Sequence, residues 1–152
     1  MNFSIRKMTE ADLPAVAALD QISFSLPWPE RSFRFEVMDN PASRCWVAEA
    51  NERVVGMIVA WLFVDEVHIA TLATHPDFRR QGIAQKLLTH TLRYTHDEGA
   101  VTSFLEVRES NLAAQEMYRK FGYESTGRRK RYYKDNDEDA ILMTLEKISV
   151  VE

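Results

Sequence analysis

Near the start of the chain Phe3 and Ile5 alternate with polar neighbours, and this two-residue period predicts a first strand over residues 3–8. Thr9-Glu10-Ala11-Asp12 then reads as a capping box, in which a hydroxyl accepts from first-turn amides and an acid answers three residues on. Leu13, Val16, Leu19 and Ile22 recur at helical spacing, so a first helix is expected to run to about Phe24. Pro27-Trp28-Pro29 interrupts the pattern. Pro29 suits the first turn of a shorter second helix carrying Phe33, Phe35 and Val37.

From Cys45 to Thr74 the texture changes to β-branched and aromatic residues. Three consecutive antiparallel strands are predicted over residues 45–50, 54–64 and 67–74, the middle one so continuously apolar that both its faces should be covered. A long helix follows over residues 81–98, with Ile83, Leu87, Leu88 and Leu92 inward and Gly99 at its stop. Residues 101–107 read as another strand. Ser110 or Asn111 caps a further helix with Ala114, Met117, Tyr118 and Phe121 on one face, closed by Gly122. Two last strands, residues 123–134 and 140–145, flank the turn Asp135-Asn136-Asp137. The order βααβββαβαββ predicts an α/β fold with a mixed, mostly antiparallel sheet and helices on both faces.

With 152 residues and no repeat or Gly/Ser/Pro-rich linker, the chain is expected to form one domain over residues 1–152. The net charge, 19 − 23 = −4, argues against a protein whose main task is gripping nucleic acid. The single cysteine, Cys45, cannot form an internal disulfide, which fits a reducing compartment. No apolar run approaches the roughly 18–20 residues of a membrane span. Residues 1–7 lack the layout of a signal peptide. A cytoplasmic location with no membrane association is expected.

The segment Leu72-Ala73-Thr74-His75-Pro76-Asp77-Phe78-Arg79-Arg80-Gln81-Gly82-Ile83-Ala84 carries the most chemistry. A strand, a tight turn, a basic pair and a glycine lead into a long helix. The start of that helix offers unpaired N–H groups and the positive end of its dipole, which favour an anion. Gly82 removes a side chain where a bulky phosphate would approach, and Arg79 and Arg80 add charge, so a pyrophosphate is the natural guest. The segment lacks the Lys-Ser/Thr of a P-loop and the three glycines of a dinucleotide fingerprint. A basic pair on an ordinary helix start is the plain alternative.

Arg79-Arg80-Gln81-Gly82-Ile83-Ala84 resembles the acetyl-coenzyme A signature, Gln/Arg-x-x-Gly-x-Gly/Ala, of the GNAT acetyltransferases, and the element order matches that family over nearly the whole chain. The resemblance implies that Leu72, Ala73 and Thr74 form the strand edge facing the thioester of acetyl-CoA. It implies that Arg80, Gln81, Gly82, Ile83, Ala84 and Gln85 hold the pyrophosphate, with Arg79 beside them. Ala84 stands where many members have Gly; a backbone donor survives that change. Phe104-Leu105-Glu106-Val107-Arg108 with Asn111, and Met117-Tyr118 before Phe121-Gly122-Tyr123, resemble the RimI-type subfamily of ribosomal-protein alanine N-acetyltransferases. Pro27-Trp28, Arg131-Tyr132-Tyr133 and the run Glu138 to Met143 match it as well.

Acetyl transfer to an amine needs a proton removed from the ammonium, donors for the developing oxyanion and a proton for the departing thiolate. Glu106 is an acid inside an apolar strand. Burial there would raise its pKa and make it a base, acting through a water, unless it lies on the strand's solvated face. Tyr118 lies on an apolar stripe, where most tyrosines are core; the resemblance implies that its hydroxyl is the general acid. Asn111 is an N-cap that the resemblance also places against the coenzyme. The oxyanion donor is expected to be a backbone N–H among Leu72–Thr74.

Trp28, Tyr132 and Tyr133 are expected to line the slot for the acceptor. The basic run Arg128 to Arg131 is followed by Asp135, Asp137, Glu138 and Asp139, so a solvated strand face is expected rather than direct nucleic-acid binding. Cys45 is expected in the core. The histidines show no metal spacing, and no metal is expected. The resemblance implies direct acetyl transfer to the α-amine of a protein or peptide with a small first residue such as Ala, a ribosomal protein among the candidates. A lysine or small-molecule acceptor, or a coenzyme-binding sensor without turnover, are the alternatives.

Overall fold

The structure is a computed structural model that describes residues 2–149; Met1 and residues 150–152, included in the single domain expected from sequence, lie outside the described residues. The elements are β1 (Ser4–Lys7), α1 (Leu13–Ser23), α2 (Glu30–Met38), β2 (Ser43–Ala50), β3 (Arg53–Phe63), β4 (Glu66–Thr74), α3 (Ile83–Asp97), β5 (Thr102–Arg108), α4 (Leu112–Phe121), β6 (Glu124–Tyr133) and β7 (Glu138–Leu145). This is the predicted order, with short 3-10 turns before α1 and after β4. The strands form one seven-stranded sheet in the order β1-β2-β3-β4-β5-β7-β6. Only the β4–β5 pair is parallel among the described residues; all other neighbours are antiparallel. No described helix is long and apolar enough to cross a membrane.

The middle strand β3 is buried continuously from Val55 to Ala60, as its unbroken apolar run predicted. A bulge sits at Val55, since Val54 faces Glu49 while Gly56 faces Ala48. The extra residue turns Val55 to the same side as Ile58, where Ile83, Leu87 and Leu88 of α3 pack. That face continues through Leu105, Val107, Ile141 and Met143 to Tyr118 of α4. On the other face α1 and α2 set Leu13, Val16 and Phe33 against Val47, Met57, Val59 and Ala73. This second cluster contains no described residue of β5, β6 or β7. The far end of that face is therefore bare of helix.

The apolar stripe of α1 differs from expectation. Ile22 is exposed, and Asp20 is buried in its place. At roughly 100° per residue, Ile22 lies opposite Leu13 on the helix while Asp20 falls beside it. In α2, Phe33 is buried but Phe35 is exposed, and Glu36 occupies the inward position. Each of the two helices on that face thus carries one acid into the core.

Arg6 ties β1 to the start of α1, donating to both oxygens of Asp12 at 2.7 and 2.8 Å, and Asp12 also accepts from the amide of Thr9. Cys45 is core as expected, and burial pushes its thiol up to about 11.

At Gly56 the side chains of α3 lie directly against the sheet backbone. A Cβ there would lie 2.7 Å from Ile83 Cγ2 and 3.1 Å from Leu87 Cδ1. Gly56→Ala is therefore expected to destabilise the fold by roughly 1–3 kcal/mol, the usual cost of overpacking. Urea unfolding should show a lower midpoint at an unchanged slope.

Candidate active site

β4 and β5 pair only from Glu66↔Thr102 to Ile69↔Leu105, although both strands run on, to Thr74 and Arg108. Beyond that point they part. Each keeps its outer partner: β4 stays on β3 as far as Gly56↔Thr74, and β5 stays on β7 as far as Arg108↔Ala140. The inner edges of both strands are thus left without a partner strand. His75 donates its N–H to Val55 on the β3 side at 2.8 Å. Alternation along an extended strand then turns the N–H groups of Leu72 and Thr74 toward the opening. Nearby, the hydroxyl of Thr74 is buried with no hydrogen-bond partner among the described residues.

Three adjoining cavities follow this opening. The first, about 420 Å³, is lined by Leu72, Ala73 and Thr74, by Arg79, Arg80, Gly82, Ile83, Ala84 and Gln85, and by Asn111 and Tyr118. Every coenzyme residue expected from sequence is therefore brought together except Gln81, which is exposed and does not line it. Gly82 precedes α3 at φ +79, in the left-handed region, and Arg80 has φ +64. A Cβ on Gly82 would meet nothing nearer than Gln85 Oε1 at 3.8 Å, so the space above the loop is open. The first N–H groups of α3 have no intrahelical acceptor, an arrangement that suits an anion at this rim. Asn111 caps α4 through Ala114 N at 3.1 Å, as expected.

The second cavity, about 400 Å³, shares Leu72, Asn111 and Tyr118 with the first and adds Asp20, Trp28, Glu106, Arg108 and Tyr133. Tyr118 and Glu106 reach it from different sides. Tyr118 belongs to the cluster beneath α3 and α4, whereas Glu106 points away from Leu105 and Val107, onto the bare end of the other face. Burial pushes the Tyr118 hydroxyl up to about 12, and no described side chain bonds to it. The buried Glu106 expected from sequence is corrected here. Leu105 and Val107 face the helices, whereas Glu106 lies on the uncovered side of the strand, exposed, with Arg129 Nε 3.2 Å away.

The third cavity, about 560 Å³, lies over this bare face and shares Trp28, Glu106 and Tyr133 with the second. Trp61, His68, Phe104, Arg129 and Tyr132 complete its wall. Trp28, Tyr132 and Tyr133 are thus gathered, as expected for a slot. The basic strand is a solvated face: Arg128 pairs with Glu109 and Asp139 at 2.8 and 2.7 Å.

Sequence reasoning missed Arg108. Its guanidinium lies 4.0 Å over the Tyr133 ring, bonds Asp135 at 3.1 Å and Glu138 at 3.2 Å, and reaches Ser25 Oγ at 3.0 Å. Ser25 itself donates to Asp135 at 2.5 Å. One cation so clasps β5, the α1–α2 loop and the β6–β7 turn together. Hydrogen bonds from Ser110, then one from Arg108, bring Glu138 down to about 2, so the clasp keeps its anion. Asp20 was missed too. The signal was available, as an acid on the apolar stripe of an amphipathic helix.

The GNAT acetyltransferase family model matches residues 13–123. A putative ribosomal protein bS18-alanine N-acetyltransferase of Bacillus subtilis is 34% identical over 140 residues, covering 92% of this chain and 93% of the relative. The ribosomal protein bS18-alanine N-acetyltransferase of Escherichia coli K12 is 32% identical, covering 93% and 96%. The crystal structure of the ribosomal-protein-S18-alanine N-acetyltransferase from Escherichia coli superimposes with a TM-score of 0.89 at 29% identity, covering 99% of this chain and 97% of that one. By sequence, fold and the parting of β4 from β5, this chain belongs to the GNAT family and is an acetyl-CoA-dependent N-acetyltransferase.

Proposed function

We propose that the enzyme transfers acetyl directly from acetyl-CoA to the α-amine of a polypeptide N-terminus, with a small first residue such as Ala. The observation that carries this reading is the opening between β4 and β5. It puts Tyr118 and Glu106 on one central cavity, with a phosphate-type rim on one side and a long aromatic groove on the other. The relatives that act on a ribosomal-protein alanine support the choice of acceptor, and make a ribosomal protein the first candidate.

The residues present fit the coenzyme. Gly82 leaves room for a pyrophosphate, the first turn of α3 and Arg79–Arg80 offer donors and charge, and Thr74 holds an unused buried hydroxyl. Acetyl-CoA supplies the activated thioester. The N–H groups of Leu72 and Thr74 donate to the carbonyl oxygen as charge develops there. Tyr118 gives its proton to the departing sulfur, and its burial keeps that proton in place until it is needed. Glu106 takes the amine proton through a water. An N-terminal amine has an unperturbed pKa of about 7.7–8.0, so an exposed carboxylate suffices near neutral pH. Trp28, Tyr132 and Tyr133 flank the acceptor chain on the bare face, which leaves room for a polypeptide to run out. The location that goes with this substrate is the cytoplasm.

Thiol release from acetyl-CoA against a panel of short peptides tests the reading. Turnover is expected with free Ala- or Ser-initial peptides; turnover of an N-terminally blocked peptide bearing a free lysine would overturn it. Tyr118→Phe is expected to lower kcat by about 10²-fold and Glu106→Gln by less, since single acid–base groups typically contribute ~10²–10⁴. A general acid works only below its pKa. The wild-type kcat should therefore show no alkaline fall from Tyr118 until the pH nears about 12. A pH profile of kcat checks this, and an earlier fall that vanishes in Tyr118→Phe would refute the assignment.

A further inference from the structure

Asp20 and Glu36 are 2% and 5% exposed, and neither has a cationic partner among the described residues. Burying an acid without a counter-charge is unfavourable unless hydrogen bonds satisfy it. One donor lies in the Pro27-Trp28-Pro29 corner between α1 and α2, and another is carried by a ring that stacks on Trp28. Asp20 Oδ2 accepts the backbone N–H of Trp28 at 2.7 Å. Glu36 accepts the indole N–H of Trp61 at 2.7 Å, and is itself steadied by Asn40 at 2.9 Å and Ser43 at 2.8 Å. The Trp61 ring in turn stacks on Trp28, with centroids 6.5 Å apart and planes within 6°, while Phe33 supports Trp28 from behind at 5.2 Å.

Trp28 lines both the central cavity, with Glu106 and Tyr118, and the outer groove. It is thus a wall between the reacting groups and the route along which an acceptor would leave. Its backbone is held by one buried acid and its ring by the other through Trp61. Asp20 also lines the central cavity itself.

We infer that Asp20 and Glu36 are positioning residues that fix Trp28 as the wall limiting the size of the acceptor's first side chain. This rests on reading the outer groove as the path of a polypeptide acceptor. The carboxylates act at a distance from the transferred group: they set the main chain and the ring plane of Trp28, and Trp28 meets the substrate. A loosened wall admits larger first residues and holds small ones less well, while the coenzyme rim at Gly82 is untouched.

Two measurements test it. The first is amide hydrogen exchange at Trp28 in the full chain without substrate. Asp20→Ala should remove its protection, and Asp20→Asn, which keeps an acceptor oxygen, should restore it. Unchanged protection in Asp20→Ala overturns the inference whatever the enzyme acetylates. The second is the ratio of kcat/KM for Ala-initial over Leu-initial peptides. It should fall about tenfold in Asp20→Ala, within the range by which an apolar pocket discriminates side-chain size. Trp61→Phe, which keeps a ring but loses the N–H to Glu36, should shift the ratio the same way, with the KM for acetyl-CoA unchanged. A ratio equal to wild type in both variants, or a parallel rise in the acetyl-CoA KM, would show a purely structural role. If Asp20→Ala does not fold, Trp61→Phe and Asp20→Asn still decide. A wild type silent on free N-termini but active on blocked lysine peptides would sink the N-terminal reading, leaving the exchange measurement to judge the wall.

Discussion

Everything distinctive in this molecule follows from two parallel strands that stop pairing halfway along. β4 and β5 are joined through Ile69 and Leu105, then diverge while each remains bonded to its antiparallel neighbour. A buried backbone N–H with no acceptor is costly, so a sheet does not part without something to fill the gap. Here the gap is lined by Leu72 on one edge and Glu106 to Arg108 on the other, with Tyr118 beneath, and Thr74 continues the first edge into the adjoining cavity. The defect in the sheet is the site. A thioester arm of coenzyme fits an opening that offers strand-edge donors, because it can use the hydrogen bonds the missing strand leaves behind.

The placement of the helices decides what each side of the opening can do. α3 and α4 cover one face continuously, so Tyr118 is buried and its hydroxyl keeps its proton. α1 and α2 cover only the β2–β4 end of the other face, so Glu106, on the adjacent strand, stays open to water. The proposed acid and the proposed base are thereby given opposite environments by a single asymmetry of the fold. The bare face between α2 and the β6–β7 hairpin becomes the aromatic groove. Arg108 lines the adjoining central cavity, where it joins three separate segments and lies over Tyr133, and Trp28 lines both cavities.

Much of this was legible in the residues. Periodicity gave all eleven elements in order, and the strand–turn–glycine–helix segment pointed to residues that line the rim of the first cavity. What failed did so for physical reasons. Ile22 fits the helical period of the α1 stripe, yet the inward position there holds Asp20, and in α2 the inward position beside Phe33 holds Glu36. Their carboxylates are tolerated because backbone and indole N–H groups, invisible in sequence, come to meet them. Glu106 was expected to be buried because its neighbours are apolar. Alternation along the strand sends it to the opposite face, and only the limited reach of α1 and α2 leaves that face uncovered. The Arg108 clasp joins residues up to 110 positions apart, which no local pattern reveals.

A structure of the enzyme with a bisubstrate analogue, coenzyme A joined through its sulfur to an Ala-initial peptide, tests the central claim most directly. The account predicts the sulfur in the opening between β4 and β5, beside the Tyr118 hydroxyl. The peptide should run past Glu106 and Trp28 over the bare face toward Tyr132 and Tyr133. A pantetheine arm lying outside that opening, or a peptide leaving on the α3–α4 face, would contradict it.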